Sequence, residues 1–306
     1  MISWPRFLRT ANGFRHVKTS TRIQCTRNKL NSINRPTSTS CSKFNFSNFK
    51  KSSFLFGAIA SGSSKAAMDK SESLKGVLKE ADQLFTDGKF EELYDFLMDQ
   101  DDWDTSEELL WRVARCEYQL ASSAKDQKEK HDELVNSAYE HVKMSLEIND
   151  KNGHAHKWAS ILLDAAAAIK GVKERVLQVH NVREHIEKAC EYEPTDATSF
   201  FLLGEWHWAC YQVSWLERKI ASVAFGKLPD ADVEVALQMF EKAEALDKDF
   251  YSLNKVRLAA VLLELKRDKE RAMQMLNEVI EKYSNSEKWD DKDAVEQAVK
   301  LLNQNK

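Results

Sequence analysis

The stretch Ser199–Ser222, SFFLLGEWHWACYQVSWLERKIAS, decides how this chain is read. It carries three tryptophans, two phenylalanines and a tyrosine within 24 residues. Leu202, Leu203, Trp206, Ala209, Cys210 and Val213 recur at the 3.6-residue period of a helix, with no strand-like alternation. Aromatic residues at this spacing are core-forming more often than cofactor-binding. From Asp69 onward the chain holds only two prolines, Pro194 and Pro229, and the helical pattern continues throughout. The fold class is therefore all-α.

Working outward, one spacing repeats. A small residue is followed four positions later by a bulky apolar one, three later by another small one, and five later by a helix-ending residue. Ala138, Val142, Ser145 and Asp150 form the first set, and Val182, Ile186, Ala189 and Pro194 the second. Ala236, Phe240, Ala243 and Lys248 form the third, and Ala272, Leu276, Val279 and Ser284 the fourth. This is the tetratricopeptide pattern: small positions let paired helices approach, and the bulky one fills the space between pairs. Gly204 lies ten residues after Pro194, which places it at the close-contact position of the next first helix. The sets begin 44, 54 and 36 residues apart. The usual period is about 34, so helices or loops are extended, most of all between Pro194 and Lys248. Expected are antiparallel helical hairpins stacked as a tetratricopeptide-like solenoid. An earlier hairpin, ESLKGVLKEADQLFTDGKFEELYDFLMDQ, has the turn Gly88–Glu92 but degenerate small positions.

Charge divides the chain in two. Residues 1–68 contain twelve Lys or Arg and no Asp or Glu. The remaining 33 basic residues face all 48 acidic ones, so residues 69–306 form an acidic body. The arm opens MISWPRFLRTANGFRHVKTS, with Trp4, Phe7, Leu8 and Phe14 among Arg6, Arg9, Arg15 and Lys18. Basic, Ser-rich and acid-free is the composition of a mitochondrial transit peptide, since a negative-inside membrane potential draws in positive charge. A disordered basic tail is the alternative. No run of about 18 apolar residues suggests a transmembrane span. The five cysteines are odd in number and form no metal-ligand spacing, which fits reduced thiols.

Catalytic motifs are missing from the sequence. His154 and His156, two apart, point to different sides of a helix, and so do His180 and His185, five apart. Nothing matches HExxH, a P-loop, GxGxxG or GxSxG. No enzymatic activity, cofactor, metal or nucleic-acid partner is expected.

Three segments carry a resemblance to a known family: HAHKWASILLD at 154–164, VREHIEKACEYEPTDATSFFLLGEWHWACYQVSWLERKIA at 182–221, and ALQMFEKAEALDKDFYSLN at 236–254. SEELLWRVARCEYQLA, before them, is similar too. Together they resemble the regulator of microtubule dynamics proteins, over most of residues 72–304. The resemblance implies a tetratricopeptide-like domain without known enzymatic activity. It also implies association with microtubules and the spindle, and for some members with mitochondria. One relative is anchored at mitochondria–endoplasmic-reticulum contacts, and its helical domain is implicated in lipid binding. Its anchor and linker motif do not occur here, so the tethering role is not carried over.

Helical-repeat proteins bind partners along the face lined by first helices. The repeat register places Arg112, Gln119, His154, Lys157, Asp164, Phe201, Glu205 and Trp208 toward that face. Basic side chains there suit a carboxylate or phosphate, and the aromatics an apolar side chain or acyl chain, so the expected ligand is a protein segment or a lipid. Ordinary surface roles remain open for each. Arg218 and Lys219 form a second candidate anion site, or pair with nearby acids.

Overall fold

The computed structural model of the protein describes residues 63–224 and 228–305. Residues 1–62 of the basic arm lie outside the described residues. Those that are described fall into two compact units, residues 75–305 and residues 63–74. No strand occurs among them.

Helix α1 (Ser63–Thr86) crosses the composition boundary at Asp69 and stops at Gly88. Gly88 adopts φ 73°, a left-handed conformation that only glycine enters without strain, and turns the chain into α2 (Phe90–Met98). The stacked hairpins follow. They pair α3 (Glu107–Ser123) with α4 (Lys128–Ile148), and α5 (Gly153–Lys170) with α6 (Val172–Tyr192). The third pairs α7 (Ala197–Tyr211) with α9 (Val233–Leu246), and the fourth α10 (Ser252–Glu264) with α11 (Lys269–Tyr283). Helix α12 (Trp289–Gln304) closes the stack on α10 and α11. Helix α8 (Trp215–Ala224) is inserted inside the third hairpin. That insertion accounts for the 54-residue spacing, and the 18- and 21-residue lengths of α5 and α6 account for the 44.

All four repeat sets lie on second helices, α4, α6, α9 and α11. Their small and bulky members are at most 1% exposed. Each set's last member falls within two residues of its helix end, as a helix-ending role requires. Gly204 is held by contact rather than by backbone shape: a Cβ there would lie 2.7 Å from the Phe240 ring. The small residue of one helix thus receives the bulky residue of its partner, which is what the spacing predicts.

The Ser199–Ser222 stretch is two helices, with a break at 212–214. Trp206 is fully buried, and its indole N–H donates to the Val179 carbonyl at 3.1 Å, so its one polar atom is satisfied. Phe200, Leu203 and Cys210 are buried beside it.

Polar caps tie successive hairpins together. Asn152 starts α5 by accepting from Ala155 N at 3.0 Å, and its amide donates to Glu108 of α3 at 2.7 Å. Asp196 starts α7 by accepting from Ser199 N at 2.9 Å, and it is bonded by Lys157 of α5 at 2.9 Å. Each cap satisfies an orphan helix N–H and fixes the angle to the preceding first helix.

Candidate functional site

Two clefts open between first helices. One, of about 710 Å³, lies between α3, α5 and the start of α12. The other, of about 860 Å³, lies between α7, α10 and the end of α12. Helix α12 thus contributes to both: Trp289, Lys292, Asp293 and Glu296 to the first, and Gln297, Lys300, Leu301 and Gln304 to the second.

Four of the eight residues placed by register on this face line these clefts. Gln119 and Asp164 are in the first, and Glu205 and Trp208 in the second. The other four are engaged elsewhere. Arg112 is 7% exposed, bonded to Asp82 and to Glu108 at 2.7 Å each, with its guanidinium over the Trp111 ring. Burial works against the Asp82 carboxylate, but Arg112 and Arg115 outweigh it and hold its pKa below the usual range. His154 packs on Trp111, and burial, with the nearby Lys157 charge, keeps its pKa low. Lys157 is held by the α7 cap Asp196. Phe201 is 3% exposed, among Phe240, Phe250 and Tyr251, so it fills the core between α7 and α9.

In the α3–α5 cleft, Asp164 receives a forked pair of bonds from Arg175, Nε to Oδ1 and Nη2 to Oδ2, both 2.6 Å. Tyr118 also lines it, with its hydroxyl pushed up to about 12 by burial and by the Asp164 charge. Lys125, in the turn after α3, lies 5.5 Å from the Trp289 ring of α12. In the α7–α10 cleft, Glu205 is 2% exposed and is bonded by Nε of Arg257, itself 4% exposed. Arg257 Nη1 donates to Gln297 Oε1 at 2.7 Å, and Gln297 in turn donates to Asp293 at 2.8 Å. Trp208 stacks on Tyr211 with centroids 5.9 Å apart, and the Tyr211 hydroxyl donates to Glu264 at 3.1 Å.

Arg218 and Lys219 sit on α8. The Arg218 guanidinium is spent on the carbonyls of Cys210 and Pro229, clipping the insertion to the body. Lys219 is exposed and lies 5.0 Å from the Trp215 ring. Trp215 and Val223 are 72% and 85% exposed, so α8 presents apolar groups to solvent.

Register reasoning missed Arg175 and Arg257, the basic halves of both cleft pairs. Arg257 stands inside the apolar run VRLAAVLLE, and a charge there is itself a signal. Another missed pair is His156–His185, joining α5 to α6 with Nδ1 atoms 2.8 Å apart. Among the described residues no group of three or more His, Cys, Asp or Glu could hold a metal. Burial pushes Cys116, Cys190 and Cys210 up to about 12, so these free cysteines stay protonated thiols.

Residues 77–306 match the family model described as regulator of microtubule dynamics protein 1-3. Regulator of microtubule dynamics protein 1 of Mus musculus is 34% identical over 227 residues, covering 72% of this chain and 74% of that protein. Its Bos taurus counterpart is 36% identical over 196 residues, covering 64% and 62%. Regulator of microtubule dynamics protein 3 of Rattus norvegicus is 31% identical, covering 69% of this chain and 46% of that protein. Among solved structures, a thermophilic tetratricopeptide-repeat protein of Thermus thermophilus matches with TM-score 0.50 and 16% identity. The match covers 74% of this chain and 99% of that one.

Proposed function

The chain belongs to the regulator of microtubule dynamics protein family, and from that premise we propose that it is a non-enzymatic helical-repeat interaction protein associated with microtubules and the spindle. The observation that carries this reading is the pair of clefts between first helices: they are lined by charged and aromatic side chains, and each holds a buried arginine–carboxylate pair. Such walls suit recognition of a partner surface and leave no poised acid, base or nucleophile.

Electrostatics favour the arm for the microtubule contact. Tubulin presents an acidic surface, which repels an acidic body and attracts an acid-free segment with twelve cations. Co-sedimentation of the full chain with stabilised microtubules is the test. Binding should weaken steeply as salt rises through the physiological range. It should fall further when Arg6, Arg9, Arg15 and Lys18 are replaced by Gln. Undiminished binding by that variant sinks the arm's role.

The arm's composition favours a second reading, a mitochondrial adaptor that binds a peptide or lipid in its groove. The two readings give the arm opposite fates. Mass spectrometry of the mature N-terminus separates them: a new end between residues 20 and 70 favours import, and an intact Met1 favours the microtubule contact.

A further inference from the structure

The α7–α10–α12 cleft contains a donor without an acceptor. Nη2 of Arg257 is buried and has no hydrogen-bond partner among the described residues, while Nε and Nη1 of the same guanidinium are engaged. An unmet N–H on a buried charged group is costly. Arg115 Nε also lacks an acceptor, but the Arg115 guanidinium lies over Phe85 and Trp111 and lines neither cleft. Arg257 lines the larger cleft at 4% exposure, and Nη2 itself has almost no accessible surface, so an entering group meets it only as the cleft wall adjusts around that group.

The surroundings select the group. Glu205 already neutralises Arg257, so the open position suits a neutral acceptor, a main-chain or amide carbonyl, better than a second carboxylate. Glu205, Glu217 and Glu264 face only Arg257 and Lys300 among the lining charges, so the cleft opposes added negative charge. Its rim carboxylates, Glu217 and the exposed Glu264, suit a cation. The stacked Trp208 and Tyr211, with Ala260, Leu263 and Leu301, offer an apolar wall.

We propose that this cleft binds an acid-free peptide segment that places a neutral carbonyl on Arg257 Nη2, an apolar side chain against Trp208 and Tyr211, and an arginine or lysine at Glu217 and Glu264. The proposal rests on the reading of the first-helix face as a binding groove, and is separate from microtubule attachment. WPRFLR, residues 4–9 of this chain, has the required chemistry: four apolar residues, two arginines and no acid.

The test is fluorescence polarisation with labelled acetyl-WPRFLR-amide. The protein is the full chain carrying Arg6→Glu and Arg9→Glu, so that its own arm does not compete. The expected result is saturable binding, and no binding of acetyl-WPEFLE-amide. Arg257→Lys keeps a charge for Glu205 but removes the spare N–H, and should weaken binding about tenfold, as loss of one bond to a charged donor implies. Glu264→Gln, at an exposed position that leaves folding intact, should weaken it about threefold, the size of a partly screened surface charge pair. Absence of saturable binding, equal binding of the two peptides, or indifference to both substitutions overturns the proposal. If Arg257→Lys fails to fold, Glu264→Gln and the charge-reversed peptide decide. Microtubule co-sedimentation of Arg257→Lys and Glu264→Gln in the full chain with Arg6 and Arg9 unchanged reads the family function independently: loss of peptide binding with co-sedimentation intact leaves that function standing.

Discussion

The two clefts each contain a buried arginine–carboxylate pair, and the pairs are built differently. Arg175 meets Asp164 fork to fork, through two parallel bonds of 2.6 Å. Arg257 meets Glu205 through Nε, gives Nη1 to Gln297, and keeps Nη2 unmet among the described residues. The first geometry saturates both oxygens and locks α6 against α5. The second leaves donor capacity at the wall of a cleft. One pair belongs to a hairpin joint, and the other has the form of a docking point. Charge alone does not separate them, and both pairs are largely excluded from water, the Arg257–Glu205 pair more deeply.

The largest expected effect breaks the pairs one at a time. Glu205→Gln leaves the Arg257 guanidinium buried without its counter-charge, and should cost about 3–5 kcal/mol. Asp164→Asn leaves Arg175 somewhat nearer solvent, so about 1–3 kcal/mol is expected there. Urea unfolding midpoints at constant slope measure both. A cost at Asp164 equal to or above that at Glu205 would mean that burial does not rank the pairs.

How much of this was legible in the sequence depends on which helix of a hairpin is considered. Second helices carry a spacing rule that packing enforces: Ala236, Phe240 and Ala243 have no accessible surface, and a change in volume at any of them is felt. First helices carry no such rule. Register points Glu205 and Trp208 to the first-helix face, where both line a cleft, but it cannot tell that the neighbouring Phe201 turns inward among Phe240 and Tyr251. Nor can it pair Glu205 with Arg257, 52 residues away, because such pairs depend on the stacking angle between hairpins. One local signal was there to be read. Ser214-Trp-Leu-Glu217 is a capping box, with Ser214 N donating to Glu217 at 2.9 Å and Glu217 N to Ser214 Oγ at 3.3 Å. It marks the break between α7 and α8 inside the opening stretch.

The next effect sharpens the contrast through pH. The α5–α6 joint holds, besides the Arg175 fork, the His156–His185 pair. His156 Nε2 lies 2.9 Å from the Asp150 carbonyl, which only accepts, so Nε2 carries the proton and Nδ1 is bare toward His185. A proton added to His156 at Nδ1 would face the His185 N–H. Burial first, then the His156 charge and Lys188, lower His185 to about 4, with Glu184 opposing. Burial also lowers His156, with Lys188 acting the same way and the Asp150 carbonyl and Glu184 against. Tyr192 closes the pocket, its ring 5.7 Å from that of His156. With the folded pKa below the ordinary 6.5, the unfolded chain takes the proton first. The stabilisation is therefore complete above pH 6.5 and is lost as pH falls toward 4, by about 3 kcal/mol. Hydrogen exchange compared between neutral and mildly acidic pH should show α5 and α6 losing protection before α10 and α11. His185→Asn should flatten that difference. Uniform loss along the chain would remove the distinction between the two halves.

The smallest effect bears most directly on the comparison. Arg175→Lys keeps the charge but replaces a planar fork with a single ammonium contact, and should cost about 1–2 kcal/mol. Arg257→Lys gives up the bond to Gln297 and an Nη2 that bonds to nothing described, so about 1 kcal/mol is expected. Thermal midpoints of the two variants, measured side by side, resolve differences of this size. The order matters more than either value. If Arg257→Lys costs clearly more, Nη2 is structurally engaged and the two pairs are the same kind of joint. If it costs less while peptide binding falls, the unfilled donor is a binding element. The fold then tolerates its loss because the stability of that cleft rests on the Glu205 charge pair rather than on the guanidinium's full set of bonds.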